Sequence, residues 1–208
     1  MKLLSAISLL VLTGQLSRAD FTFSGAGDIP QMNPVGLVSV GTVSGISGRV
    51  TGMSLDLTVL GGFNGDLYAY LVAPNQTTAA TLLGTPGGNF DQAGSGYQIT
   101  LTGTGAGING VAQDWGTPVT GTYQPVVDLL GTFGSYLTAN GANGDWRLFL
   151  ANQSNGGQST LGTWNLTFIT TAAVPEPEQV AAISLLGLIG LMVGSYRRWG
   201  QALGFKKL

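Results

Sequence analysis

Most of the side chains in this sequence that could do chemistry are carboxylates. Residues 20–174 contain eight aspartates and two arginines, with no glutamate or lysine, and the whole chain has neither histidine nor cysteine. A Ser-His-Asp triad and a serine–lysine pair therefore cannot be built from this part of the chain. Two aspartates could hydrolyse a glycosidic bond only if the fold held them across a cleft at a defined separation. We predict that the protein is not an enzyme.

Calcium is the metal that this composition favours, because Ca²⁺ takes six to eight oxygen ligands from carboxylates and backbone carbonyls. Asp66 and Asp145 each follow an Asn-Gly pair, which favours a tight turn into the next strand. A D-x-D-x-D-G loop is absent from the sequence. Two interpretations stay open: Asp66 and Asp145 contribute to a calcium site, or the aspartates cap turns by hydrogen-bonding to nearby backbone groups.

The charge balance bears on partners. Residues 20–174 carry a net charge of −6, whereas binding to phosphate groups needs lysine and arginine. Nucleic acid is therefore excluded as a partner. A carbohydrate or a partner protein could contact an exposed aromatic ring, and the candidates for that contact are Trp115, Tyr97 and Tyr123.

The elements that must position these side chains are β-strands. In the segment GMSLDLTVL, apolar Met53, Leu55, Leu57 and Val59 alternate with polar residues, which is the period of a half-buried strand. The same alternation occurs in residues 66–74, 97–103, 145–153 and 163–170. Residues 20–171 show no helical period. We therefore predict an all-β fold.

Short strands separated by Asn-Gly turns predict two antiparallel sheets packed as a sandwich. Two tryptophans then point into the space between the sheets together with neighbouring apolar residues. This predicted core contains Trp146, Leu148, Leu150, Trp164, Leu166 and Phe168.

The first residues are typical of a secretory signal peptide. One lysine precedes an apolar run, and Ser17 and Ala19 have the spacing of an A-x-A cleavage site. We predict a signal helix in residues 1–19, with cleavage between Ala19 and Asp20.

The last residues are typical of a membrane anchor. Residues 180–196 carry no charge and are just long enough to span a bilayer, and Arg197 and Arg198 follow them directly. Basic residues hold their end of a span in the cytoplasm. We therefore predict a transmembrane helix at 180–196 and a cytoplasmic tail at 197–208. Residues 172–179 form an extended linker, because they contain Pro175 and Pro177.

The predicted strands carry motifs of a known domain. The first motif is Gly-Asp-Leu at the start of a strand, from Gly65, with Pro74 after that strand. The second motif is a Gly-x-Trp-x-Leu strand, Gly144-Asp145-Trp146-Arg147-Leu148, and a later strand repeats its pattern with Gly162 and Trp164-Asn165-Leu166. In order and spacing, residues 35–171 resemble the P domain of subtilisin/kexin-type proprotein convertases. The resemblance implies a jelly-roll-like β-sandwich. Asn152 stands where that family usually has an aspartate.

The tail resembles a sorting signal. Pro175-Glu176-Pro177, the apolar segment and Arg197-Arg198 together resemble the PEP-CTERM signal of environmental bacteria. The resemblance implies export, membrane retention by the tail, processing by an exosortase-like enzyme, and association with extracellular polysaccharide.

These observations predict an exported, non-catalytic protein of the cell surface or extracellular matrix, with a structural or adhesive role. Two alternatives stay open. One is a module that binds carbohydrate or protein, and the other is an accessory domain for a separately encoded subtilisin-like protease.

Overall fold

The computed structural model of this protein describes residues 15–85, 94–111, 116–155 and 157–171, with only the backbone of Ala26. Within these ranges the chain forms nine strands. They are β1 (Leu16–Ile29), β2 (Leu37–Val43), β3 (Arg49–Leu60), β4 (Leu67–Val72), β5 (Ala79–Gly84), β6 (Gly96–Gly107), β7 (Val119–Gln124), β8 (Gly144–Asn152) and β9 (Ser159–Thr171). One α-helix, α1 (Leu129–Asn140), and two short 3-10 helices (Asn64–Asp66 and Ile108–Gly110) complete the described elements.

The strands form two sheets, as the sequence predicted. The five-stranded sheet has the order β1-β9-β3-β6-β7, and the four-stranded sheet has the order β2-β8-β4-β5. One pairing differs from the antiparallel prediction, because β7 runs parallel to β6 from the Tyr97–Val119 pair onward. Two parallel neighbours need a connection that brings the chain back to the end of the sheet where the first strand began. The 3-10 helix Ile108–Gly110 begins that connection.

The alternation of apolar residues places the core between the sheets. Met53, Leu55, Leu57 and Val59 are buried, as predicted. The predicted core of two tryptophans and their neighbours is also confirmed, since each of its members is buried. The indole N–H groups have partners as well: that of Trp146 donates to the Ala142 carbonyl, and that of Trp164 donates to the Ser39 hydroxyl, both at 2.9 Å.

Helix α1 was not predicted, so the expectation that residues 20–171 contain no helix is wrong. Asp128 caps the helix by accepting a hydrogen bond from the Gly131 amide. Leu129, Phe133 and Leu137 recur every four residues and are buried on one side. The two glycines within α1 have low helix propensity, which hid this pattern in the sequence.

The predicted processing site lies inside a strand. Ala19 pairs with Phe168 and Asp20 pairs with Thr167 in the ladder between β1 and β9. Cleavage between Ala19 and Asp20 would therefore remove residues 16–19 from β1. The cleavage itself stays a prediction.

The predicted tail elements lie outside the described residues. These are the linker at 172–179, the membrane helix at 180–196, the cytoplasmic tail at 197–208, and the sorting residues Pro175, Glu176, Pro177, Arg197 and Arg198. In the part of the chain that the structure describes, no helix has the length and apolar character needed to cross a bilayer.

Candidate functional site

The outer surface of the four-stranded sheet carries aromatic side chains. Strand β4 turns Leu67, Ala69 and Leu71 into the core, so that Tyr68 and Tyr70 point outward. Strand β8 turns its tryptophan and leucines inward and leaves Phe149 on the outer side. The register places Tyr70 directly opposite Phe149. We call Tyr68, Tyr70 and Phe149 the aromatic row.

The rings of the aromatic row contact one another. Tyr70 and Phe149 stack with their centroids 4.4 Å apart and an angle of 19° between the ring planes. Tyr68 meets Tyr70 edge to face, with centroids 6.0 Å apart. Such contacts fix the rings beyond what burial alone provides. The row is therefore a preformed surface.

A cleft of about 510 Å³ opens beside the aromatic row. Ala151 lies opposite Tyr68 in the sheet, and both residues line the cleft. The other wall is the loop that precedes β2. The cleft is lined by Met32, Asn33, Pro34, Tyr68, Tyr70, Phe149, Ala151, Asn152 and Gln153.

One backbone hydrogen bond and one side-chain hydrogen bond hold the loop wall in place. The Met32 amide donates to the Asn152 carbonyl at 2.9 Å, and the Asn33 carboxamide accepts from the Val35 amide at 2.9 Å. At Gly36 the backbone has a φ of +59°, and a Cβ atom there would lie 2.6 Å from the Phe149 ring. Glycine at this position allows the loop to close over that ring.

The chemistry of the cleft is aromatic, amide and uncharged. Among the described residues that line it, no side chain is a carboxylate, lysine or arginine. The Asn152 amide is already used, because it donates to the Gly157 carbonyl at 3.0 Å and accepts from the Ser154 amide at 3.0 Å. An aspartate at position 152 could not make the first of these bonds. Gln153 and the Tyr70 hydroxyl remain as polar groups that a ligand could reach.

The aromatic residues predicted as contacts lie elsewhere. Tyr97 is fully buried and its hydroxyl donates to the Asn64 carbonyl at 3.1 Å, so the prediction of an exposed Tyr97 is wrong. Its place in the register of β6 turns it into the core. Tyr123 is half-buried on β7, with its hydroxyl bonded to the Thr120 carbonyl at 2.9 Å. Trp115 lies outside the described residues.

The two aspartates considered for calcium are far apart. Asp66 is buried in the 3-10 helix before β4, at the end of the sheet where Leu67 pairs with Asn152. Asp145 lies seven residues before Asn152 on β8. It is therefore about 23 Å along the strand from the end where Asp66 lies. They cannot share one ion. Across the described residues, no cluster of three acidic side chains could hold a metal.

The exposed aspartates bind neighbouring hydroxyl groups. Asp145 accepts a hydrogen bond from Thr42 at 2.7 Å, and Asp28 accepts one from Thr160 at 2.7 Å. Asp128 caps α1. The capping of α1 by Asp128 agrees with the interpretation that aspartates bond to nearby backbone groups, whereas Asp145 and Asp28 bond instead to threonine hydroxyls on neighbouring strands.

The outer surface of the five-stranded sheet is mainly polar, with Leu60 and Ile169 as exposed apolar exceptions, and several of its polar side chains bind one another. Asp56 accepts from the Thr100 hydroxyl at 2.6 Å and from the Asn165 amide at 3.4 Å. We call this surface the polar face. At its β1 edge, the Thr167 hydroxyl donates to Asp20. That hydrogen bond is the main cause that lowers the pKa of the Asp20 carboxyl, slight burial opposes it, and Arg18 lowers the pKa further.

Sequence reasoning missed the aromatic row. A signal was present, since tyrosines occupy the outward positions of the alternating segment DLYAYLV, where polar residues are usual. Nothing in the sequence places Phe149 beside Tyr70, because the two residues are far apart in the chain. That pairing depends on the register between β4 and β8.

Comparisons with known proteins give limited similarity. No family model and no curated protein sequence matches the chain. Among solved structures, it is similar to the serine protease of Aeromonas sobria in complex with its chaperone (15% identity, TM-score 0.45) and to the same protease alone (13% identity, TM-score 0.42). Each match covers 76% of this chain, and the chain spans 28% of the length of each matched chain. At these scores the similarity assigns neither an activity nor a partner.

Proposed function

We propose that the protein is an exported, non-catalytic surface protein whose β-sandwich binds a neutral carbohydrate. The observation that carries this proposal is the aromatic row beside an uncharged, amide-lined cleft. A binding module requires outward-facing rings on a rigid sheet, whereas a purely structural role or an accessory role for a protease does not.

The lining of the cleft fits a sugar in two respects. The C–H faces of a sugar ring are apolar and pack against aromatic side chains, whereas its hydroxyl groups need uncharged donors and acceptors. The rings of Tyr68, Tyr70 and Phe149 supply the first kind of contact, and the Gln153 amide supplies the second. A charged ligand would find no counter-charge among the lining residues.

The cleft also has the size of a small-ligand site. Its volume of about 510 Å³ lies within the range of roughly 300–1,000 Å³ that is usual for such sites. The cleft opens on the sheet surface, so a longer chain could cross it while one segment occupies it. This arrangement suits a polysaccharide better than a cofactor, which is usually enclosed.

The location proposed for this module rests on the two ends of the sequence. The signal-like residues 1–19, the Pro175-Glu176-Pro177 motif and the basic pair Arg197-Arg198 support export and retention at the membrane. The proposal includes processing by an exosortase-like enzyme. It places the sandwich at the cell surface or in the extracellular matrix, where polysaccharide is available.

Titration calorimetry of the purified full-length protein with neutral oligosaccharides tests the binding proposal. We expect Tyr70→Ala to weaken binding at least about 10-fold, which corresponds to about 1.4 kcal/mol. The matched control is Tyr123→Ala, which removes a half-buried tyrosine outside the cleft. Equal affinity of the wild type and Tyr70→Ala would exclude the cleft, and failure of every neutral oligosaccharide to bind would exclude the ligand class.

The sorting proposal has a separate test. Replacement of Arg197 and Arg198 by glutamine removes the basic end of the apolar segment, and we expect reduced surface retention or altered orientation. Cell fractionation with mass spectrometry of both mature ends measures this effect. Unchanged display and processing of the variant would contradict the proposed sorting.

A second candidate function follows from the P-domain resemblance, which also implies the jelly-roll topology. The two tryptophans of the resembling motifs, Trp146 and Trp164, both lie in the core between the sheets, as a shared scaffold would require. In that case the protein assists a separately encoded subtilisin-like protease. Stable co-purification with such a protease, together with no oligosaccharide binding, would favour this second function.

A further inference from the structure

The strands at the sheet edges differ in how far they are protected from pairing with another chain. An edge strand presents unpaired backbone groups, and charges, bulges or a covering segment usually block it. Strand β1 carries Arg18, Asp20 and Asp28, and its register shifts between Ser24 and Gly27. These features protect the β1 edge of the five-stranded sheet.

The other two protected edges use different means. The amides of Val126 and Val127 donate to the carbonyls of Leu82 and Thr81 at 3.2 and 3.0 Å, so that this segment covers the edge of β5. Strand β7 has six residues, and its regular pairing with β6 ends at Leu101 after five residue pairs. Neither edge offers a long regular ladder.

Strand β2 has none of these protections. Its sequence LVSVGTV contains no charge and no proline, and all seven residues pair with β8 without a register shift. Val38 and Val40 are 48% and 52% exposed on its outer side. Among the described residues, no segment other than β8 hydrogen-bonds to the backbone of this strand.

The inner side of β2 is fixed by the core. A Cβ atom at Gly41 would lie 2.6 Å from the Phe23 ring, which shows how closely that ring packs under the strand. Phe23 in turn packs on Trp164, with centroids 4.4 Å apart. The edge of β2 is therefore held in an extended form before any partner arrives, which lowers the entropy cost of pairing.

The sequence of β2 is complementary to itself. In an antiparallel pair centred on Val40, that residue faces Val40 of the second copy, Val38 faces Thr42, and Ser39 faces Gly41. The outer pairs join β-branched side chains, which favour cross-strand contact, and no like charges meet. A symmetric pair of this kind is the commonest form of self-association.

We propose that two copies of this protein associate through β2 to form one continuous eight-stranded sheet. The symmetry axis of this pairing is perpendicular to the sheet, so the outer surfaces of both copies face the same way. Both aromatic rows then lie on one side of the dimer. Resting on the proposed function, this arrangement lets one polysaccharide chain or surface engage two clefts, which raises the apparent affinity without new contacts.

Disulfide trapping tests the pairing, because the chain contains no cysteine. Directly opposed Cβ atoms of an antiparallel pair lie about 4.5–5.5 Å apart, close to disulfide distance. Under mild oxidation of the full-length protein, we expect Val40→Cys to give a covalent dimer. The matched control Leu60→Cys replaces another half-exposed apolar residue near a strand end of the other sheet and should remain monomeric on a denaturing gel.

Sedimentation of the full-length protein in detergent gives the second measurement. We expect a wild-type dimer, an increase of at least 10-fold in the dimer dissociation constant for Val40→Lys, and no change for Leu60→Lys. A monomeric wild type would overturn the proposal, as would an unchanged dimer in Val40→Lys together with no covalent dimer in Val40→Cys. Val38→Lys serves as a second edge variant if Val40→Lys does not fold.

The two proposals fail separately. Val40→Lys leaves the cleft intact, so the monomer should bind a short oligosaccharide with wild-type affinity while losing the extra affinity for long chains. Tyr70→Ala should bind a short oligosaccharide at least about 10-fold more weakly and remain a dimer. A wild type that is monomeric but binds a short oligosaccharide would contradict only the proposed dimer and leave the binding proposal standing.

Discussion

The same alternation of inward and outward residues builds both outer surfaces of the sandwich, but the outward side chains differ between them. On the polar face, the outward side chains bind each other, as Asp56 does with Thr100 and Asn165. On the four-stranded sheet, the outward side chains include stacked rings and exposed valines. Polar side chains on the polar face therefore satisfy one another, whereas the aromatic row and the exposed Val38 and Val40 leave apolar surface that a ligand or partner can cover.

The largest expected effect concerns the core that both faces share. Trp164→Ala removes a fully buried ring and the bond to Ser39, and we expect the free energy of unfolding to fall by about 3–5 kcal/mol. Chemical unfolding of the purified protein measures this. Ile169, which is 38% exposed, gives the control, because Ile169→Ala should cost only about 1 kcal/mol. A loss below about 1 kcal/mol for Trp164→Ala would mean that the two sheets do not depend on this ring.

The next largest effect is on oligosaccharide affinity, which should depend on the aromatic row and not on the polar face. Replacing Tyr68, Tyr70 and Phe149 by threonine gives the aromatic face the side chains of the polar face. We expect oligosaccharide affinity to fall at least about 100-fold, or about 2.7 kcal/mol. Calorimetry measures the change, and the triple replacement of Thr58, Thr100 and Thr163 by alanine provides the converse control. Weakened binding in the control would show that the polar face also takes part.

A smaller effect concerns the self-satisfied network. Asp56→Ala leaves Thr100 and Asn165 without their carboxylate partner, and we expect a loss of about 1–2 kcal/mol in unfolding free energy. Oligosaccharide binding should not change. Asp28→Ala, which removes one exposed acceptor of a single hydroxyl, should cost less. Equal losses in the two variants would contradict the importance of the network.

The stacked pair on the aromatic face should contribute less than the polar network. A double-mutant cycle of Tyr70→Ala and Phe149→Ala isolates the interaction of the two rings. We expect a coupling energy of about 0.5–1.5 kcal/mol from unfolding experiments. A coupling near zero would indicate that the rings are held by the strands alone, and the preformed surface would then depend only on backbone register.

The smallest effect is the pH dependence at the β1 edge of the polar face. Because the folded pKa of Asp20 is lowered, its stabilising contribution is present above the unfolded pKa, about 3.9, and is lost as pH falls through the lower folded pKa. The stability difference between the wild type and Asp20→Asn should therefore shrink in acid. In a Thr167→Val background, which lacks the hydrogen bond that contributes most, this pH dependence should be weaker.

Much of the fold followed from local patterns, and much of the site did not. The alternation in residues 53–59 predicted which side of β3 is buried, because one strand determines that alone. The parallel pairing of β7 and the Tyr70–Phe149 contact depend on which strands become neighbours and in which register. That information arises from packing of the whole sandwich. Helix α1 was not predicted for a local reason, because Gly131 and Gly134 weaken its helical pattern.

Strand β9 has a mechanical consequence. Over most of its length it is hydrogen-bonded on both sides, to β1 and to β3, and it ends at Thr171 beside the starts of both neighbours. A pulling force applied at Thr171 along the strand loads the two ladders in shear, so that many hydrogen bonds share the load and must rupture together. Force transmitted through residue 171 would thus meet a strand that resists extraction.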